Sequence, residues 1–171
     1  MPRDRDNRNG RSGNPRRRKP RVLILTEGVK SEPEYLHGFR ESHGKPHRLI
    51  SVVGFGGGSP MKILMEAIRR RDDAQRDAQR RGDPNLAYDQ VWCVFDVDVH
   101  AAEIPNVRRK AEATGIELAV SNPCFELWLI LHFRGSPGRQ ERNWLHREMK
   151  IHVKSYDKKV EFSDYTSGYA E

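Results

Sequence analysis

Residues 91–100 read V-W-C-V-F-D-V-D-V-H, from Val91 to His100. Five apolar residues run directly into two aspartates spaced i, i+2. A short apolar run without charge reads as a strand buried on both faces, the kind found inside a parallel sheet. In an extended chain, residues i and i+2 point to the same side, so Asp96 and Asp98 set two carboxylates together where the strand ends. A buried strand that stops on a double negative charge marks one place in the fold. The rest of the chain is read by what it brings there.

Upstream, Val22 to Thr26 (V-L-I-L-T) is a first apolar, partly β-branched strand, ending on Glu27-Gly28. Ser31 and Glu34 have capping-box spacing for a following helix whose apolar face is Tyr35, Leu36 and Phe39, with Gly44 as its stop. Leu49 to Val53 is a second strand. It leads into G-F-G-G-G-S-P (Gly54 to Pro60) and a helix with Met61, Leu64, Met65 and Ile68 on one face. Ser59 suits its N-cap, Pro60 its first position and Gly82 its end. Its second half, Arg69 to Arg81, is nearly all charged or Gln and reads as a solvated face, with a nucleic-acid contact as the lesser alternative. Tyr88 to Phe95 is then the third strand. Downstream, a helix over Pro105–Ala113 stops at Gly115, and Ile116–Val120 is a fourth strand. Asn122-Pro123 predicts the cap and first residue of a helix over Cys124–Phe133 that is apolar almost all round and therefore buried. After Gly135 and Pro137, a last helix over Gln140–His152 carries Trp144, Leu145 and Met149.

Strands alternating four times with helices predict an α/β fold: a four-stranded, mostly parallel sheet flanked by helices, with right-handed crossovers. In such sheets ligands bind off the carboxyl ends of the strands. Glu27, the glycine-rich loop, and Asp96 with Asp98 all fall at that edge.

The charge is unevenly placed. The formal net charge is +7, and residues 1–21 hold nine Lys or Arg against two Asp, leaving 22 of each sign in the other 150 residues. Residues 1–20 therefore read as a disordered basic arm, 21–160 as the α/β domain, and 161–171 as an unassigned tail. Arg16, Arg17, Arg18, Lys19 and Arg21 are candidates for phosphate contacts that add salt-dependent affinity for nucleic acid; a solubilising tail is the alternative. No apolar run approaches the roughly 18 residues of a membrane span, and no signal-peptide core is seen, so a cytoplasmic protein is expected. Cys93 and Cys124 sit inside apolar runs without metal-ligand spacing and read as small buried hydrophobes of a reducing compartment.

Three carboxylates meeting at one sheet edge repel: two unit charges about 5 Å apart cost roughly 3 kcal/mol at an effective dielectric near 20. A divalent cation relieves this, and an all-oxygen donor set selects Mg²⁺ or Mn²⁺. Such an ion activates water and stabilises charge on a phosphodiester, with Glu27 as base or as ligand to a second ion. Taken singly, each acid is an ordinary turn or cap residue. Gly56, Gly57, Gly58 and Ser59 are candidates for holding a backbone phosphate, but packing serves equally well. The loop is neither a full dinucleotide fingerprint, since Ser59 stands where a third Gly or Ala belongs, nor a P-loop, lacking G-K-[ST]. Glu126 is the odd residue of its apolar helix; Asn122, an arginine or the metal's surroundings are its candidate partners. Glu32 and His100 complete the candidates for a second metal or its surroundings.

Three stretches resemble the RloB family: R-V-L-I-L-T-E-G-V-K-S-E-P-E-Y (Arg21–Tyr35), Y-D-Q-V-W-C-V-F-D-V-D (Tyr88–Asp98) and S-N-P-C-F-E-L-W-L (Ser121–Leu129). That family is similar to Toprim domains, whose sites use a glutamate after the first strand and D-x-D after the third. The resemblance implies Glu27, Asp96 and Asp98 as catalytic metal ligands of a Mg²⁺-dependent nuclease on DNA or RNA, acting in phage defence beside an ATPase partner. Two other classes compete. A haloacid-dehalogenase-type phosphatase also ends an apolar strand in D-x-D, but places that strand first and needs catalytic strands downstream. A non-catalytic nucleic-acid or ATPase-binding subunit would keep the carboxylates for structure.

Overall fold

The computed structural model describes residues 19–97, 100–153, 156 and 162–168. The four apolar runs form β1 (Val22–Thr26), β2 (Ile50–Gly54), β3 (Gln90–Asp96) and β4 (Glu117–Ser121). The helices are α1 (Ser31–Ser42), α2 (Pro60–Arg81), α3 (Ile104–Thr114), α4 (Glu126–Ile130) and α5 (Arg142–His152). The sheet has the order β2-β1-β3-β4 and every pairing is parallel, so the expected sheet is present and parallel throughout. Its winding moves outward from β1 to β2, then crosses back over β1 to β3. That reversal puts a switch point between β1 and β3, where the loops leaving the two strands diverge and open a crevice.

Alternation along the strands builds two cores. Leu23, Leu25, Val91, Cys93 and Phe95 face Ile63, Leu64 and Ala67 of α2 and Val107 and Ala111 of α3. On the opposite face Val94, with Ile24 and Ala119, meets Tyr35 of α1, Leu129 and Ile130 of α4, and Leu145 and Met149 of α5. Tyr156 and Tyr165, the latter in a 3-10 turn over Phe162–Gly168, close that second core. Each large apolar side chain buried this way contributes about 1.5–3 kcal/mol.

Pro60 and Gly82 bound α2 as expected, with Ser59 extended at the N-cap and Gly82 left-handed at φ 63°. The Arg-rich half of α2 carries its own counter-charges. Glu66 pairs with Arg69 and Arg70 at 2.7 Å each, Asp73 with Arg69, and Asp77 with Arg80. The two guanidiniums hold the Glu66 carboxyl down at about 2. Such exposed i,i+3 and i,i+4 pairs are worth a few tenths of a kcal/mol. This face is a set of locally neutralised pairs.

Three local expectations are corrected. Ser31 is the first helical residue of α1, not its cap; Lys30 is the N-cap. Glu34 is exposed, and the acid that turns back toward the loop is Glu32, whose Oε1 accepts the Gly28 N–H at 3.2 Å. The helix over 124–133 is only five residues long, capped by Phe125, because residues 122–125 bend first, with Asn122–Pro123 cis. Beyond Ile130, His132 N–H bonds to the Leu129 carbonyl and Phe133 N–H to that of Ile130, i→i−3 bonds that tighten the chain into turns. The segment is also not buried all round: Trp128 and Leu131 are 48% and 44% exposed.

Arg21 is the third correction. Its guanidinium donates to the Leu86 carbonyl and lies 4.3 Å from the centre of the Tyr88 ring, while its N–H donates to Asp89 Oδ2 at 2.7 Å. It fastens the amino end of β1 to the turn before β3 and is committed to the fold. Lys19 is exposed; Arg16, Arg17 and Arg18 lie outside the described residues.

Candidate metal centre

The carboxyl ends of β1 and β3 meet through Glu27. Its N–H continues the ladder by bonding the Val94 carbonyl at 2.9 Å. Its side chain then turns across the sheet edge, and Oε2 accepts the Asp96 N–H at 3.1 Å. The carboxylate after the first strand is thus bonded to the backbone amide of the residue that ends the third.

The loop after β2 serves Glu27 as well. The N–H groups of Gly56 and Gly57 bond the Glu27 carbonyl at 3.2 and 3.0 Å, and Phe55 N–H bonds that of Thr26 at 2.8 Å. Gly56, Gly57 and Gly58 have φ of 91°, 91° and 131°, a region that only glycine enters without strain. Gly54 allows the two loops to touch: a Cβ there would lie 2.7 Å from Val29 Cα and 2.8 Å from the Gly28 carbonyl oxygen. Of the two readings of this loop, phosphate holding and packing, its hydrogen bonds favour packing. The Gly56 and Gly57 amides are spent on the backbone of Glu27, and Ser59 Oγ donates to Glu103 Oε1 at 3.0 Å. The loop fixes the carboxylate of β1.

Two further acids arrive from helix starts. Glu32, in the first turn of α1, is buried, and Glu126 opens α4 and is 6% exposed. Both sit where a helix N-terminus favours negative charge. Glu27, Glu32, Asp96 and Glu126 line one cleft of about 340 Å³ with Lys30, Gly56, Gly57, Phe125 and Arg142. Asp98, two residues past Asp96, lies outside the described residues. Asn122 is exposed and does not line the cleft. His100 stands with Glu103, its Nδ1 3.8 Å from Oε2, and is likewise not among the cleft residues.

The electrostatics follow from this crowding. Burial, then the charges of Glu32, Glu126 and Glu27, push the Asp96 carboxyl up to about 8, against the opposing pull of Arg142. Burial also raises Glu32, with the Gly28 N–H partly offsetting it. Glu126 goes the other way. Burial alone would raise it, but the Cys124 thiol, its own backbone amide, His146 and the Tyr156 hydroxyl together hold it below the usual carboxylate range. Tyr156 donates to Glu126 Oε1 at 2.9 Å. Of the expected partners, Asn122 and an arginine are not the groups that hold Glu126; a thiol, a phenol and an imidazole surround it, and it lines the carboxylate cleft.

Sequence spacing offers no hint of Arg142, Cys124, His146 or Tyr156 as cleft or cleft-supporting groups. Arg142 is one of several arginines near an expected helix start, and only the packing of α5 on α4 turns it toward the carboxylates. Glu27, Glu32, Asp96 and Glu126 offer oxygen donors only, the type that Mg²⁺ or Mn²⁺ takes beside waters and phosphate oxygens; among the described residues, the three donors that lie within 4.8 Å of one another are Cys124, Glu126 and His146.

A family model described as RloB-like protein matches residues 22–170. The chain belongs to the RloB-like family. No curated protein and no solved structure matches this RloB-like chain. Among the described residues, no helix of the RloB-like protein is long and apolar enough to cross a membrane.

Proposed function

We propose that this RloB-like protein is a Mg²⁺- or Mn²⁺-dependent, Toprim-type enzyme that cleaves phosphodiester bonds in DNA or RNA. The observation that carries the proposal is the Glu27–Asp96 contact at the β1/β3 switch point, with Glu32 and Glu126 facing the same cleft. Family membership and the Toprim resemblance of the Glu27 and Asp96-x-Asp98 stretches support it. They are also the basis for proposing a role in phage defence with an ATPase partner, in the cytoplasm.

Within this proposal the chain's own groups divide the work. Glu27 is held by the sheet edge and by the Asp96 amide, which sets its carboxylate beside the end of β3 that carries Asp96. When bound, the divalent ion supplies an activated water and charge stabilisation at the scissile phosphate. Arg142 and the exposed Lys30, at the cleft wall, hold non-bridging phosphate oxygens, which suits a guanidinium and an ammonium. Glu126 is kept ionised by the Cys124 thiol, its own backbone amide, the nearby His146 ring and the Tyr156 hydroxyl, and is available as a further ligand, while Glu32 tethers the Gly28 loop.

The test is incubation of the full chain with Mg²⁺ or Mn²⁺ and plasmid, single-stranded DNA or tRNA, beside Glu27→Gln and Asp96→Asn. Metal-dependent cleavage by the wild type, reduced at least a hundredfold in both variants, is expected. Equal cleavage by all three proteins would sink the proposal.

A further inference from the structure

Behind the carboxylate cleft lies a group of different chemistry. Cys124, fully buried, Glu126 and the half-buried His146 bring a sulfur, a carboxylate oxygen and an imidazole nitrogen within 4.8 Å of one another. They come from the bend before α4, from α4 itself and from the second turn of α5, so the packing of two helices assembles them. His146 Nε2 is 2.9 Å from Glu126 Oε1. Yet that nitrogen is a buried atom without a hydrogen bond of acceptable angle. A buried ring nitrogen pressed against a carboxylate but misaligned with it is an unusual arrangement, since buried polar atoms are almost always satisfied. A cation placed among the three groups satisfies all of them.

We infer that Cys124, Glu126 and His146 form a second cation site, selective for a borderline-soft divalent ion of the Zn²⁺ class over Mg²⁺. Thiolate and imidazole donors select such ions, whereas Mg²⁺ requires oxygen. Tetrahedral bond lengths of about 2.0–2.3 Å place ligand atoms roughly 3.3–3.6 Å apart, so the three atoms, all within 4.8 Å, need only shift on the order of 1 Å or less, the 2.9 Å Nε2–Oε1 pair opening slightly. The fourth position falls to water. Binding releases the Cys124 proton, which the thiol otherwise donates to Glu126, because a coordinated thiol is deprotonated by the ion. The Tyr156 hydroxyl, 2.9 Å from Glu126 Oε1, then orients the carboxylate from outside the coordination sphere. The site shares Glu126 with the wall of the carboxylate cleft but uses neither Glu27 nor Asp96, so it is tested apart from them and holds whether or not the cleft cleaves phosphodiesters.

Co²⁺ reports on it directly, because a cysteine-ligated Co²⁺ shows a thiolate-to-metal charge-transfer absorption that oxygen ligation lacks. The full chain, Cys124→Ser, His146→Gln and Asp96→Asn are each titrated with Co²⁺, and the bound ion is then challenged with Zn²⁺ or with a large excess of Mg²⁺. The band is expected in the wild type and in Asp96→Asn, displaced by Zn²⁺ and not by Mg²⁺. It is expected to vanish in Cys124→Ser, and His146→Gln, at a half-buried position that spares the core, should bind at least about tenfold more weakly, the smallest decrease usual even for indirect contributors to a metal site. Circular dichroism verifies that each variant is folded. A folded wild type without the band overturns the inference. So does a band that persists in Cys124→Ser, or one of unchanged affinity in His146→Gln, or ready displacement by Mg²⁺.

Discussion

Replacing Asp96 with Asn tests whether the four carboxylates are as crowded as the fold implies. The folded protein keeps the Asp96 proton to about pH 8, while the unfolded chain releases it near the ordinary aspartate value of 3.8. Between those limits the native state binds more protons than the unfolded state, so its stability falls as pH rises from about 4 to 8. The shift of about four pK units corresponds at pH 7 to an upper limit of about 4–6 kcal/mol. The cleft is open to water, which screens the neighbouring charges and brings a realistic figure to about 2–4 kcal/mol. Asparagine has the same shape and no charge to suppress. In EDTA at pH 8, Asp96→Asn is therefore expected to be about 2–4 kcal/mol more stable than wild type in urea unfolding, equivalent to a Tm higher by roughly 5–15 °C. The difference should fade to nothing by about pH 4, where both side chains are neutral. Millimolar Mg²⁺ should reverse the order, because an ion bound only by the native state stabilises the wild type by mass action and lacks one ligand in the variant. A stability difference that does not change with pH would refute the reasoning: Asp96 would then be ionised in the fold and its neighbours too distant to matter.

Other variants probe the parts that hold the cleft together. Gly54→Ala drives a methyl into the backbone of Gly28 and Val29 at 2.7–2.8 Å, so it should cost about 1–3 kcal/mol and weaken Mn²⁺ binding measured by calorimetry; wild-type values for both would mean that the two loops do not touch. Tyr156→Phe removes a donor from a buried carboxylate and should cost about 1–3 kcal/mol at pH 7. Because Glu126 is held below its ordinary range, that cost is full above the unfolded value near 4.5 and disappears as pH falls through the folded one, so a cost that grows toward acid pH would contradict it. Deleting residues 1–18 should flatten the dependence of log K on log salt for nucleic-acid binding by about 0.7–0.9 for each phosphate that the arm's arginines neutralise; an unchanged slope would return the arm to a solubilising role.

Much of the fold is legible in the sequence because it is written in periodicity. Val22–Thr26 and Val91–Phe95 are continuous or nearly continuous apolar runs with β-branched residues, as central strands of the sheet require, Ile116–Val120 is a weaker run that forms the half-buried edge strand β4, and Pro60, Gly82 and Gly115 bound their helices through local backbone constraints. The segment after Ser121 departs from expectation because its apolar composition is equally compatible with a long helix and with a bend, a single short helix and turns. Composition records that a segment is buried, not how its hydrogen bonds are closed. Ser31 departs for a similar reason: a capping box is a pattern of two residues, and here Glu32 rather than Glu34 reaches back to the loop.

The opening stretch, Val91 to His100, determined by itself that a buried strand ends on paired carboxylates, and the order of the elements determined that Glu27 ends a strand of the same kind. Neighbourhood was decided only by tertiary structure. Parallel pairing of β1 with β3 in the register Thr26–Val94 is what sets Glu27 against the Asp96 amide, and that register follows from how apolar side chains interlock between layers far apart in sequence. The same holds for Glu126. Its sequence neighbours Phe125 and Leu127 predict only an uncomfortable charge, whereas the docking of α5 supplies Arg142 and His146 and the chain beyond it supplies Tyr156. Local sequence specifies which groups each element carries; the packing of the elements specifies which groups meet, and the chemistry of the cleft belongs to the second.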